Sequence, residues 1–210
     1  MDAQVLANGR ILVAENSANR ITERDQKGDI KWTYQVPGNP ICCQRLPNGN
    51  TFIATYNLVM EITPDQRPVY QISQAQRGPQ FYIFSARKTQ AGTVVAMTAQ
   101  GAIQEFDPKT NKDIRTVNLG PNGGWCGVEP LPNGRYLVAT MNNNQVREID
   151  DKGNATLSIT YPGVFRATRL PNGNILCASM TTRKVAEFDR TGAIRWERTC
   201  DGRPWSVRYR

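Results

Sequence analysis

Short apolar runs separated by polar turns fill the chain from end to end, and no run keeps a helical period of useful length. The sequence LPNGN occurs at Leu46–Asn50 and again at Leu170–Asn174, with LPNGR starting at Leu131. Aligned on the glycine of this turn, Gly9, Gly49, Gly92, Gly134 and Gly173 lie 40, 43, 42 and 39 residues apart. An apolar strand follows each: RILVAE, TFIATY, TVVAMT, RYLVAT and NILCAS. A second strand ends near an acidic or hydroxyl residue (RITERD, LVMEIT, AIQEFD, QVREID, KVAEFD). A polar turn then leads to a third: IKWTYQ, PVYQIS, IRTVNL, TLSITY, IRWERT. A Gly/Pro-rich loop leads to one more strand before the next PNG: PICCQRL, FYIFSARK, WCGVEPL, VFRATRL. Asn-Gly and Lys-Gly supply the positive φ that tight hairpins need.

The pattern predicts an all-β chain built from four-stranded antiparallel units of about 42 residues, the signature of a β-propeller. A lone unit cannot hide both faces of its sheet, so units must stack around an axis. We expect one propeller domain over residues 1–210, with five repeats and no helices. The last stretch, 203–210 (RPWSVRYR), reads as an inner strand that completes the first blade and closes a five-blade ring. The alternative is a fragment of a six- to eight-bladed propeller.

Two segments carry a resemblance. EFDRTGAIRWE (Glu187–Glu197) and ERDQKGDIKWT (Glu23–Thr33) resemble the tryptophan-docking repeat of quinoprotein-like propellers. The LPNGN-plus-strand half is similar to repeats of bacterial propeller proteins of the NHL and arylsulfotransferase-like groups. The resemblance covers nearly the whole chain. It implies that Trp32 and Trp196 dock on the neighbouring blade, with Tyr70, Val117 and Ile159 in the same slot of the other units. It also implies an extracytoplasmic location, although MDAQVLANGR lacks the basic start and apolar stretch of a signal peptide. The superfold carries many functions, so it names none.

Composition narrows the chemistry. The 210 residues carry a net charge of +8, of which residues 106–210 hold +6. This basic surface favours anions in general, but no block of consecutive Lys or Arg marks a sequence-specific nucleic-acid site. No apolar run approaches a membrane span. Five cysteines show no C-x-x-C spacing and read as buried free thiols; a disulfide stays open, and no metal site is expected.

There is no histidine, hence no Ser-His-Asp or Cys-His constellation. This departs from the arylsulfotransferases, whose activity depends on a histidine. Nor do we expect a cofactor. Glu129 is the only inner-strand carboxylate apart from Asp2, and it reads as a buried ion pair with Arg45, Arg87 or Arg169 rather than a catalytic group.

Candidate ligand contacts lie in the loops that enter the inner strands: Tyr82, Trp125, Phe165, Arg166, Arg203 and Trp205. Aromatic faces stack on sugar or base rings, and guanidinium forks hold carboxylate, sulfate or phosphate. Against this, Trp125 and Phe165 fill the slot of Ile41 and can be packing residues, while Arg166 and Arg203 can be solvated loop charges.

The reading is a non-catalytic binding or interaction propeller. Its partner would be a small anionic or carbohydrate-like ligand, or a protein segment, at the axial mouth. The alternatives are a glycan hydrolase or lyase using the mouth carboxylate and arginines, and a structural module of a larger protein.

Overall fold

A computed structural model describes residues 2–120 and 125–208. Twenty strands form five four-stranded antiparallel sheets arranged as a β-propeller. Blade 1 comprises β1 (Asp2–Val5), β2 (Ile11–Glu15), β3 (Arg20–Arg24) and β4 (Ile30–Gln35). Blade 2 comprises β5 (Pro40–Arg45), β6 (Thr51–Thr55), β7 (Leu58–Ile62) and β8 (Pro68–Ser73). Blade 3 comprises β9 (Ile83–Lys88), β10 (Val94–Thr98), β11 (Ala102–Asp107) and β12 (Lys112–Asn118). Blade 4 comprises β13 (Cys126–Pro130), β14 (Tyr136–Thr140), β15 (Gln145–Ile149) and β16 (Ala155–Thr160). Blade 5 comprises β17 (Val164–Arg169), β18 (Ile175–Ser179), β19 (Lys184–Phe188) and β20 (Ile194–Thr199). The first strand of each blade lies nearest the axis, and its neighbours follow outward in chain order.

The repeated turn closes by local bonds. Leu46 N–H donates to the Asn50 carbonyl (2.8 Å), Gly49 N–H to the Leu46 carbonyl (3.0 Å), and the Asn48 side-chain oxygen accepts from Asn50 N–H (3.0 Å). Gly49 sits at φ +86°, which a side chain would oppose. The copy at Leu170–Asn174 repeats the three bonds.

Four apolar cores join the blades in sequence. Leu12, Ala14, Ile21 and Val36 of blade 1 meet Ile53, Met60 and Ile62 of blade 2. Phe52 and Ile72 then meet Phe81, Val94 and Phe106. Met97, Ile103 and Val117 meet Tyr136, Val138 and Ile149. Leu137, Val146 and Ile159 meet Ile175, Cys177 and Phe188. Each large side chain buried this way contributes about 1.5–3 kcal/mol. Middle strands such as β6 and β7 are buried on both faces, which is why their sequences run apolar without alternation. Among the described residues no core joins blade 5 to blade 1.

A glutamate stands at one register of every blade's third strand, and in blades 1 to 4 it ties the blade to the next at the hairpin end. Glu23 accepts from Arg10 of its own hairpin and Arg45 of the next inner strand, both at 3.0 Å. Glu61 pairs with Lys88 of the next blade. Glu148 pairs with Arg169 of the next blade (2.6 Å) and Arg135 of its own (2.9 Å). Glu105 accepts from the Tyr136 hydroxyl of blade 4 at 2.7 Å, because Pro130 stands where the others place a cation.

Three expectations need correction. The residues opposite the repeated glutamate are Trp32, Tyr70, Arg115, Leu157 and Trp196, so Val117 and Ile159 lie two residues beyond the docking slot and fill the cores instead. Trp32 docks under Arg45, 5.4 Å from its ring centroid, but Trp196 is 46% exposed because no blade covers it. One helical turn, Gln74–Arg77, follows β8, held by the Gln76 side chain accepting from Ser73 N–H (2.8 Å).

The expected inner strand over 203–210 is also not formed across its described part, 203–208; Tyr209 and Arg210 lie outside the described residues. Its intended place is taken, since β1 already pairs with β2 from Asp2↔Ala14 to Val5↔Ile11. The segment instead bridges blades 1, 4 and 5 through side chains. Ser206 reaches Asp2 (3.2 Å), and Arg208 reaches Asp2 (3.4 Å), Glu129 (3.1 Å) and Thr168 (3.2 Å).

Candidate functional site

The two ends of the axis differ. At the loop end, rings pack against one another across the inner strands, some stacked and some edge to face. Tyr82 stacks on Tyr56 (5.5 Å between centroids) and meets Phe84 edge-on (5.8 Å). Phe84 stacks on Trp125 (5.0 Å), Trp125 leans on Phe165 (6.2 Å), and Phe165 meets Trp205 edge-on (5.2 Å). Ile41, Tyr56, Phe84, Trp125, Phe165 and Arg166 enclose a void of only about 10 Å³, the size of one water. Tyr82 and Trp125 keep 41% and 42% of their surface exposed.

Five of the six residues singled out in the sequence therefore come together, and Arg203 stays in solvent. Of the loop 120–126, residues 121–124 lie outside the described residues.

Arg166 is not a solvated loop charge. A register shift between Val164 and Arg166 turns it inward from β17. Its guanidinium donates to the carbonyls of Cys126 (3.1 Å) and Phe84 (3.0 Å) and lies 4.8 Å from the Phe165 ring centroid. Gly127 makes the room: a Cβ there would stand 2.8 Å from Arg166 Nη1.

At the hairpin end a depression of about 820 Å³ opens between the ends of the inner strands. Arg87, Lys88, Arg169 and Arg208 line it, with Glu129 and a rim of Leu131, Pro132, Leu170 and Pro171. The turns that start at Leu131 and Leu170 thus serve twice, as hairpins and as part of the wall of the depression. Three of the carboxylates that balance these cations stand behind the wall. Asp2, fully buried, pairs with Arg87 (2.7 Å); Glu61 and Glu148, almost fully buried, hold Lys88 and Arg169. Arg208, 26% exposed, lies between Asp2 and Glu129.

Glu129 is an ion pair, as its sequence position suggested, but its partner is Arg208 rather than Arg45, Arg87 or the Arg169 side chain. It also accepts from the Thr168 hydroxyl (2.7 Å) and Arg169 N–H (3.0 Å). Burial raises its pKa, partly offset by those bonds. Both of its oxygens are engaged, which leaves little capacity for general-base work. All five cysteines are free, and four are buried. Burial pushes the Cys126 thiol up to about 12 and the Cys43 thiol well above its ordinary value. Cys43 and Cys126 are therefore small apolar fillers rather than nucleophiles.

Sequence reasoning missed the depression. It placed the candidate contacts in the loops that enter the inner strands and assigned none to the hairpin turns. The available signal was the basic residue closing three inner strands, Arg45, Lys88 and Arg169.

No family model matches the chain, and no curated protein matches it. Solved structures do. A protein of unknown function from Bacteroides caccae shares 19% identity over 91% of this chain and 73% of its own, with a TM-score of 0.76. The catalytically inactive histidine-to-alanine virginiamycin B lyase from Staphylococcus aureus, solved with quinupristin, shares 16% over 97% and 70% (TM-score 0.71). The WD40 β-propeller domain of Doa1 shares 14% over 95% and 68% (TM-score 0.71). At these identities the likeness shows the fold alone. Among the described residues no helix is long and apolar enough to cross a membrane.

Proposed function

We propose that this chain is a non-catalytic binding propeller that takes a small anionic ligand in the depression at the hairpin end of its axis. One observation carries the reading. Four cations line the opening while Asp2, Glu61 and Glu148 are withdrawn behind them and Glu129, which also lines it, has both oxygens engaged, so an entering carboxylate, sulfate or phosphate meets a surplus of N–H donors. The net charge of +8 adds a long-range attraction for the same ligands. A lyase reading gains nothing from the virginiamycin B lyase likeness. The inactivated protein in that structure had lost a histidine, and this chain has none.

Calorimetric titration with inorganic phosphate, sulfate and citrate tests the proposal. A saturable, salt-sensitive site is expected. Arg208→Gln weakens it about 10-fold or more, the value of one charge-assisted hydrogen bond. Lys109→Gln, on an exposed turn, leaves it unchanged. Absence of saturable binding to all three anions overturns the reading.

A second reading rests on the half-exposed rings of Tyr82 and Trp125 at the opposite end, either of which can pack against a sugar or other planar ring. Its mark is ligand binding lost in Trp125→Ala and kept in Arg208→Gln.

A further inference from the structure

Every filled interface in this propeller uses the same parts. Apolar residues of the second and third strands face the next blade. A glutamate on the third strand reaches forward, and the next blade answers it: Arg45 to Glu23, Lys88 to Glu61, the Tyr136 hydroxyl to Glu105, Arg169 to Glu148. The first two of these cations also lie over the docking ring of the preceding blade, Trp32 and Tyr70.

Blade 5 carries the forward half of this arrangement with nothing in front of it. Leu176 and Val185 are half-buried where Leu137 and Val146 of blade 4 are buried. Every residue of β20 is exposed, Trp196 among them. Among the described residues Glu187 bonds only Asn172 and Asn174 of its own hairpin. Arg198, in the register of Tyr34, Ile72, Val117 and Ile159, is the one polar break, and its long stem can carry its charge to the rim.

Blade 1 does not supply the missing half. In the register of Arg45, Lys88 and Arg169 it has Val5, 37% exposed. Where blades 2 to 5 turn Ile62, Phe106, Ile149 and Phe188 back toward the previous blade, blade 1 has Arg24. Arg24 and Arg20 are already held by Glu15, at 2.5 and 2.7 Å.

The solved propellers described above have length to spare for such a unit: this chain covers 73%, 70% and 68% of theirs.

We propose that the outward face of blade 5 is a docking surface for a further four-stranded blade of this same repeat, whose inner strand ends in arginine or lysine to meet Glu187. A second copy of this chain fits poorly, because the blade it would offer carries Val5 at that position.

The test compares the 210-residue chain with one extended by a copy of residues 36–120 ahead of Met1. This brings the copied Arg45 round to Glu187. Hydroxyl-radical footprinting reads Trp196 and Leu176, and light scattering reads mass. In the 210-residue chain Trp196 should label far more than Trp32. In the extended monomer its labelling should fall to the level of Trp32, and the melting temperature should rise by about 5 °C. Replacing the copied Arg45 by Ala should lose part of that rise.

Unchanged labelling of Trp196 in the extended monomer overturns the proposal. So does a dimer of the 210-residue chain that protects Trp196, which would make a second copy the occupant. A measurement on the unextended chain alone also decides: if Glu187→Gln destabilises it as much as Glu148→Gln does, Glu187 already has an inter-blade partner and the surface is not free.

Discussion

Gly127 and Arg166 are one structural decision made at two positions. A buried guanidinium needs partners, and here carbonyl oxygens from two neighbouring blades and an aromatic face supply them. The side chain can cross the inner strands only because residue 127 has no Cβ; an added one would also lie 2.9 Å from Arg166 Cδ and 3.0 Å from the Phe165 carbonyl. Gly127→Ala should therefore destabilise the protein by about 1–3 kcal/mol in urea unfolding, the usual penalty for overpacking. Adding Arg166→Met relieves the collision, so the double variant should lose less than the sum of the two single changes. Strict additivity would show that the glycine does not serve the arginine.

Glu15 shows a second residue-level effect. Burial pushes its pKa up, but hydrogen bonds from Arg24, Thr22 and Arg20 outweigh that and bring it down to about 2 from 4.5. A lowered folded-state pKa means stability that is full above about pH 4.5 and lost as pH falls toward 2. Acid unfolding of the Glu15→Gln variant should be flatter across that window than that of the parent.

At the scale of the element, the blade is a hairpin stack whose inter-blade tie is one glutamate. Glu148 is almost fully buried and answers three arginines, Arg135, Arg169 and Arg190. Glu148→Gln leaves those cations without their anion. It should lower stability by about 2–3 kcal/mol, below the ~3–5 of a fully buried pair because the arginines are partly hydrated. Glu187 occupies the same register with no cation paired to it among the described residues, and Glu187→Gln should stay within about 0.5 kcal/mol of the parent. Chemical denaturation of the two variants side by side measures the difference.

The elements themselves were legible in the sequence because turn chemistry is local: LPNGN closes through bonds within five residues, whatever surrounds it. The glutamate was visible in ITERD, LVMEIT, AIQEFD, QVREID and KVAEFD, but its role was not, since each tie depends on a residue between 21 and 31 positions further on. The docking slot was misplaced by two residues in blades 3 and 4, although the ladder shifts just after the glutamate in all five blades. Counting from that glutamate, nine residues in blade 4 as in blades 1, 2 and 5 and ten in blade 3, reaches Leu157 and Arg115.

At the scale of the molecule, the last described residues act as a strut across the hub rather than as a strand. Arg208 links Asp2 of blade 1 to Glu129 of blade 4 and Thr168 of blade 5. This was hidden from sequence reasoning because it joins positions some 200 and 80 residues apart, and because the 203–210 stretch matches an inner strand in pattern while the place for that strand is filled by β1. The consequence is specific. Asp2 keeps Arg87 when Arg208 is removed, but Glu129 keeps only the Thr168 hydroxyl and the Arg169 N–H. Arg208→Met should then lower stability by about 2–3 kcal/mol at pH 7, the size expected when a mostly buried carboxylate loses its cation. The sign of the pH dependence follows from burial, which already raises the Glu129 pKa. A carboxyl whose folded-state pKa lies above its unfolded value binds a proton more tightly when folded, so the loss should shrink as pH falls from 7 toward 5. Glu129→Gln placed in the Arg208→Met background removes the charge altogether and should restore much of the loss at pH 7 while leaving little pH dependence. If Arg208→Met instead loses the same amount at pH 5 and pH 7, and Glu129→Gln restores none of it, the strut acts through packing alone and the charge network at the floor of the depression is incidental to the fold.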